Sequence, residues 1–189
     1  MSINPFDICI IIHGCPPSQD NVISKHNRWM NWIEKQLKEQ GLNAAAPDMP
    51  TPWKPRYEIW KKVFEKYHIT KKSVLVGHSC GAAFLVRWLL ETHQSVAKLI
   101  LIAPAKIPEH EDDPRKDLYD FELPEDGRDI AREIVMFTSN DFPHHMKSFE
   151  LYTKSLKPHS IKLENKFHFL FFQMHTRQFP ELLEEIVPS

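Results

Sequence analysis

A three-layer α/β/α sandwich built on a six-stranded, mainly parallel sheet is the fold class that this 189-residue sequence predicts. Three observations point to it. Short β-rich runs alternate with longer amphipathic segments along the whole chain. The first of these runs, "ICIII" at residues 8–12, is continuously apolar, as a strand covered on both faces must be. No internal repeat breaks the alternation, and no 18-residue apolar segment suggests a membrane span. The length fits one domain over residues 1–189, large enough to bury a core without disulfides or metals.

The first strand leads into a loop over 13–20, then Trp29, Ile33 and Leu37 at helical spacing, with Gly41 as a helix stop. "LNAAAP" supplies a weak second strand. The proline-rich loop "PDMPTPWKP" (47–55) leads into a helix with Ile59, Trp60, Val63, Phe64 and Tyr67 on one face. "SVLV" (73–76) is the third strand, and the segment after Gly81 is apolar nearly all round, which predicts a helix buried against the sheet. "AKLILIAP" (97–104) is the fourth strand; "EIVMFTSND" and "SIKLEN" are the fifth and sixth, with a helix over 146–156 between them and a last helix over 177–187. Between Pro104 and Gly127 the pattern breaks into an acidic insertion of local formal charge −6. It reads either as a solvated surface excursion or as a short lid with Leu118, Tyr119, Phe121 and Leu123 as its inner face.

Composition narrows the function classes. A formal net charge of −1 offers no broad attraction for nucleic acid or an anionic membrane. The three cysteines form no CxxC pair, and their odd number reads as reduced thiols, which favours the cytoplasm. The N-terminal apolar run, Ile8 to Ile12, is too short for a signal peptide and comes after Asp7 where positive charge would be wanted. Nothing calls for a cofactor or metal, and the expected partner is a small molecule.

Right-handed crossovers put the C-terminal ends of parallel strands along one edge, where open α/β sheets bind ligands. That edge would gather His13-Gly14-Cys15, Ser79, Asp141 and His168. "GHSCG" matches G-x-S-x-G, with a chance expectation of roughly 0.01 in a chain of this composition. A serine on a sharp strand-to-helix turn needs small residues two before and two after it, and Gly77 and Gly81 stand there. The bland alternative is a tight turn with an idle serine.

A serine hydroxyl needs a positioned imidazole to take its proton. His168, after the last strand and flanked by phenylalanines, is the first candidate, and His175 the reserve. A carboxylate must then hold the other ring nitrogen, and Asp141, beyond strand five, is the candidate; the bland alternative is a turn or N-cap aspartate. "DFPHH" also admits a metal reading through Asp141, His144 and His145, which is set aside because no second ligand cluster accompanies it. For the oxyanion, the Cys80 N–H is one expected donor; the other is the Cys15 N–H, with Gly14 second. Both cysteines are expected to contribute main chain only. Trp53, Phe167 and Phe169 are expected to shape the pocket.

These residues resemble the α/β-hydrolase superfamily, and within it the small retinoblastoma-binding-protein-nine-like serine hydrolases. The likeness runs through "GHSCGA" followed by "RWLLETH", "PDMPTP" with "EIW" after it, "SND" beyond strand five and a histidine after strand six. It implies a compact hydrolase with Ser79, Asp141 and His168 as its triad, acting on small esters or amides. Two departures stand out: "HGCPPS" lacks a run of glycines, and Phe167 precedes the histidine where glycine is frequent. The expected function is ester hydrolysis through an acyl-enzyme on Ser79; the alternatives are a noncatalytic binding module and an acyltransferase.

Overall fold

A computed structural model of the chain describes residues 5–22 and 28–187. Its strands are β1 (Cys9–Ile12), β2 (Ala44–Ala45), β3 (Val74–His78), β4 (Val96–Ile102), β5 (Ala131–Thr138) and β6 (His159–Lys162). They form one sheet in the order β2-β1-β3-β4-β5-β6, and every neighbouring pair is parallel. β1 and β3 are buried along their full length, which is why their sequences read as unbroken apolar runs.

Among the described residues seven α-helices flank the sheet or its connections: α1 (Trp29–Glu39), α2 (Tyr57–Phe64), α3 (Cys80–Thr92), α4 (Lys116–Tyr119), α5 (Pro143–Leu156), α6 (Phe171–Met174) and α7 (Pro180–Ile186). The two-residue period of a strand divides the core into two layers. Ile10, Ile12, Leu75, Leu99, Leu101 and Met136 pack with α2 and α3 on one face. Cys9, Ile11, Val76, Ile100, Val135 and Phe137 pack with α1 and α7 on the other. α3 has nine buried residues, in keeping with its apolar circumference. None of the described helices is long and apolar enough to cross a membrane.

Several boundaries differ from the sequence reading, each for a local reason. β2 is only two residues long, since alanines bring little apolar area to the sheet edge. α5 begins at Pro143, ahead of the expected 146, because proline at the first helical position needs no N–H acceptor. α7 likewise begins at Pro180. α6 has no counterpart in the sequence reading.

The 104–127 segment is stitched to the body. Lys106 Nζ donates to the Tyr119 carbonyl at 2.7 Å, Arg87 to the Asp117 carbonyl at 2.6 Å, and Ser155 Oγ to the Pro124 carbonyl at 2.6 Å. Leu118 and Tyr119 are buried in the α2/α3 layer, with Phe121 and Leu123 packed against it. The apolar face of the insertion therefore meets the core, and of the insertion only Glu109 and Arg115 reach the cavity beside Ser79.

Candidate active site

Ser79 occupies the turn between β3 and α3 with φ 53° and ψ −117°, a conformation that costs about 1–3 kcal/mol for a residue with a side chain. Its surroundings fix that conformation. Its N–H donates to the Ile102 carbonyl at 2.9 Å, and its carbonyl accepts from the Ala82 and Ala105 N–H groups at 3.1 and 3.2 Å. The flanking glycines are required by close approach. A Cβ at Gly77 would stand 2.6 Å from the Ala82 Cα, and one at Gly81 would stand 2.4 Å from the Ile12 carbonyl oxygen. Both obstacles are backbone, so Gly81→Ala has to push α3 away from β1. The expected cost is about 3 kcal/mol, at the upper end for overpacking, read as a lower urea midpoint with an unchanged slope.

His168 lies beyond β6 and is turned back over the sheet edge. Its Nε2 lies 2.9 Å from Ser79 Oγ and its Nδ1 lies 2.5 Å from Asp141 Oδ2. The Asp141 side chain is buried, and its Oδ1 accepts the Phe142 N–H at 2.7 Å. Burial raises the Asp141 pKa, but the His168 hydrogen bond and nearby imidazoles outweigh it and hold the carboxyl below its usual range. The structure thus brings Ser79, His168 and Asp141 together. His175 lies apart, exposed at the C-terminal end of α6.

His13, His78 and His145 also frame the site; sequence reasoning placed His13 on this edge and weighed His145 only as a metal ligand, and gave none of the three a role beside the triad. His78 Nε2 donates to the His168 carbonyl at 2.8 Å, tying the residue before Ser79 to the loop that carries the imidazole. Burial, more than any charge, pushes His78 down to about 3. His13 Nδ1 donates to the Gly14 carbonyl at 2.7 Å and its Nε2 accepts the Met49 N–H at 2.9 Å, so its neutral tautomer is fully specified. Burial brings it down to about 4. His145 stacks on His168 with ring centroids 4.0 Å apart, and burial pushes it to about 3. The available signals were slight: His78 abuts the serine, and His145 ends the "HH" pair after Asp141.

All three cysteines are free. Cys80 Sγ lies 3.1 Å from the Tyr119 hydroxyl. Burial opposes its ionisation, but hydrogen bonds from the Cys15 thiol and Tyr119, the Arg115 charge and the Cys15 N–H bring its pKa below the ordinary thiol value. The Cys80 N–H opens α3 and so has no acceptor within the helix.

Ser79 and His168 open on a cavity of about 520 Å³. Trp29, Met30, Phe169 and Phe171 give it an apolar wall, and Phe142 and Phe172, each 60 % exposed, stand at its rim. Of the three residues expected to shape it, only Phe169 does so. Trp53 is replaced in the wall by its neighbour Pro52, and Phe167 points to solvent because φ of 47° at that residue rotates it away as His168 turns inward. Arg115 in the wall is held in a fork by buried Asp113, at 2.7 and 2.8 Å, and also contacts Glu109.

Asp141, His145 and His168 each present a possible metal ligand within 4.8 Å of the others. The two rings are stacked at 23°, which directs their in-plane lone pairs along neighbouring planes rather than toward one ion. His144, the other imidazole of the sequence-level metal reading, lies outside this trio.

Comparison with known proteins gives concordant results. A family model described as serine hydrolase matches residues 9–185. The serine hydrolase RBBP9 of Rattus norvegicus is 32% identical over 120 residues, covering 61% of this chain and 63% of that protein. The YdeN protein of Bacillus subtilis (strain 168) is 32% identical over 97 residues, covering 49% of this chain and 48% of its own. The matched segments therefore span about half to less than two thirds of these relatives' length. The crystal structure of the ydeN gene product superposes with a TM-score of 0.78 at 20% identity, over 95% of this chain and 96% of that one. Est1E from Butyrivibrio proteoclasticus, solved with ferulic acid, superposes with a TM-score of 0.62 at 13% identity, over 95% and 87% of the two chains.

Proposed function

The chain belongs to the serine hydrolase family, and on that premise we propose that it cleaves small neutral carboxylic esters through an acyl-enzyme on Ser79. The observation that supports this most is the unbroken chain of contacts from Ser79 Oγ through His168 to Asp141 at the floor of an apolar cavity. Ser79 Oγ attacks the ester carbonyl carbon as His168 Nε2 takes the hydroxyl proton. The carbonyl π pair moves to oxygen, where the Cys80 N–H and the Cys15 N–H, which gives up its contact with the Cys80 sulfur to do so, or the N–H of Gly14, receive the charge. Asp141 holds Nδ1–H and favours the imidazolium while it exists. Collapse of the intermediate expels the alkoxide, which takes the proton from His168. Water then repeats the sequence on the acyl-enzyme, releasing the acid and restoring Ser79.

The wall chemistry favours an apolar acyl chain without charge. Arg115 is held by Asp113 with Glu109 beside it, and Arg28, the other arginine of the wall, pairs with Asp48 at 2.9 Å, so among the described residues both cations of the wall already face carboxylates and an anionic acyl group gains little from them. Each buried methylene is worth about 0.8 kcal/mol. Going from a p-nitrophenyl acetate to the hexanoate adds four, or about 3 kcal/mol if all are buried. The expected result is a kcat/KM at least about tenfold higher for the hexanoate, with a succinate half-ester slower than either; conversion of none of them, with no labelling by a fluorophosphonate, refutes the proposal.

A further inference from the structure

We infer that His145 is a positioning residue, whose ring lies against His168 and sets the plane in which that imidazole must stand to reach Ser79. The inference rests on the reading of His168 as the base. The bond to Asp141 anchors His168 at one nitrogen only, and rotation about the Cβ–Cγ bond of a histidine is soft. A ring so anchored can still swing Nε2 away from Ser79 Oγ, so a second constraint on its plane is required.

The stack supplies it. His145 and His168 are near-parallel, 23° apart with centroids at 4.0 Å, whereas His78 on the same ring is tilted by 50° with centroids at 5.1 Å. One short turn provides both constraints: Asp141 supplies the carboxylate, and four residues later His145 supplies the flat face. The turn is braced by the Phe142 N–H to Asp141 Oδ1 bond at 2.7 Å and the His145 N–H to Phe142 carbonyl bond at 3.0 Å.

The charge of His145 suits this role. His145 Nδ1 is buried without a partner among the described residues. A buried bare lone pair resists protonation, and an unpaired N–H there would be worse, so the ring is neutral with its proton on Nε2. An imidazolium at 145 would repel the one that forms on His168 during attack. A neutral ring instead offers its π face to that cation.

Three variants separate ring from nitrogen: His145→Phe keeps the flat face, His145→Gln keeps an N–H donor, and His145→Ala keeps neither. With p-nitrophenyl hexanoate, kcat is expected to fall about 10- to 30-fold in the Gln and Ala variants with KM changed less than about threefold, and to stay within about threefold of wild type in the Phe variant. Wild-type kcat in His145→Ala, rescue by Gln rather than Phe, loss in all three, or a change in KM alone would each overturn the inference. A second readout does not depend on turnover. The downfield proton resonance of His168 Nδ1–H should persist in wild type and His145→Phe and vanish in His145→Ala at unchanged thermal midpoint. If that pattern holds while no ester is cleaved, the functional reading fails and the positioning role stands; a resonance indifferent to residue 145 refutes the positioning role alone.

Discussion

Ser79→Ala is expected to lower kcat/KM by at least about 10⁴-fold and to leave the fold and the cavity in place. Alanine retains the Cβ, so the strained φ of 53° at the turn is neither relieved nor worsened. What disappears is Oγ and its contact with His168 Nε2. The variant would keep the two proposed main-chain donors and the apolar wall, and with them a residual rate above that of water is expected. Initial rates on a p-nitrophenyl ester, together with intact-mass measurement of a fluorophosphonate adduct, check this directly. Wild-type turnover by Ser79→Ala, or an adduct forming on it, would remove Ser79 from the mechanism.

Mild acid is expected to destabilise the protein well before its carboxylates titrate. His13, His78 and His145 have folded-state values near 4, 3 and 3, all lowered from 6.5 by burial. Below pH 6.5 the unfolded chain therefore binds protons that the folded chain refuses. The stability these groups contribute is whole above that pH and is lost progressively as pH falls toward 3–4. Each wholly buried histidine contributes up to about 1.4 kcal/mol per pH unit, hence about 2 kcal/mol by pH 5, and partly covered His145 about 1. Together they remove about 5 kcal/mol from a domain whose total stability is of order 5–15 kcal/mol. Urea unfolding at pH 7, 6 and 5 should show a steeply falling midpoint. A flat profile over that window would mean that these imidazoles are charged or solvated. Asp141, Asp113 and Glu91, all held below their usual range, add their own loss only at lower pH.

The sheet and the order of its chemistry were legible in the sequence because they are written in local pattern. β1 and β3 are buried on both faces and so read as continuous apolar runs; Ser79, Asp141 and His168 each stand just beyond a strand, and parallel topology collects the C-terminal ends of strands along one edge. The cavity wall was less legible. Which face of "KFHFLFF" looks inward depends on positive φ at Asn165, Phe167 and Phe169, which no apolar periodicity encodes. Phe167 in particular adopts the left-handed backbone that glycine takes most easily, so the residue that departs from the family pattern still permits the turn. The framing histidines were illegible for another reason. His13, His78 and His145 derive their roles from partners 36, 90 and 23 residues away, and a lone imidazole carries no sign of such partners.

The bond from His78 to the His168 carbonyl carries a mechanical implication. The last residue of a central strand and the loop bearing the imidazole are fastened to each other one position away from Ser79. Lifting that loop would strand a buried donor, at about 1–3 kcal/mol, in addition to the contacts of the imidazole itself. On the proposed mechanism, a substrate arriving at the rim would meet the three side chains already in contact, which leaves the cavity walls as the expected source of selectivity.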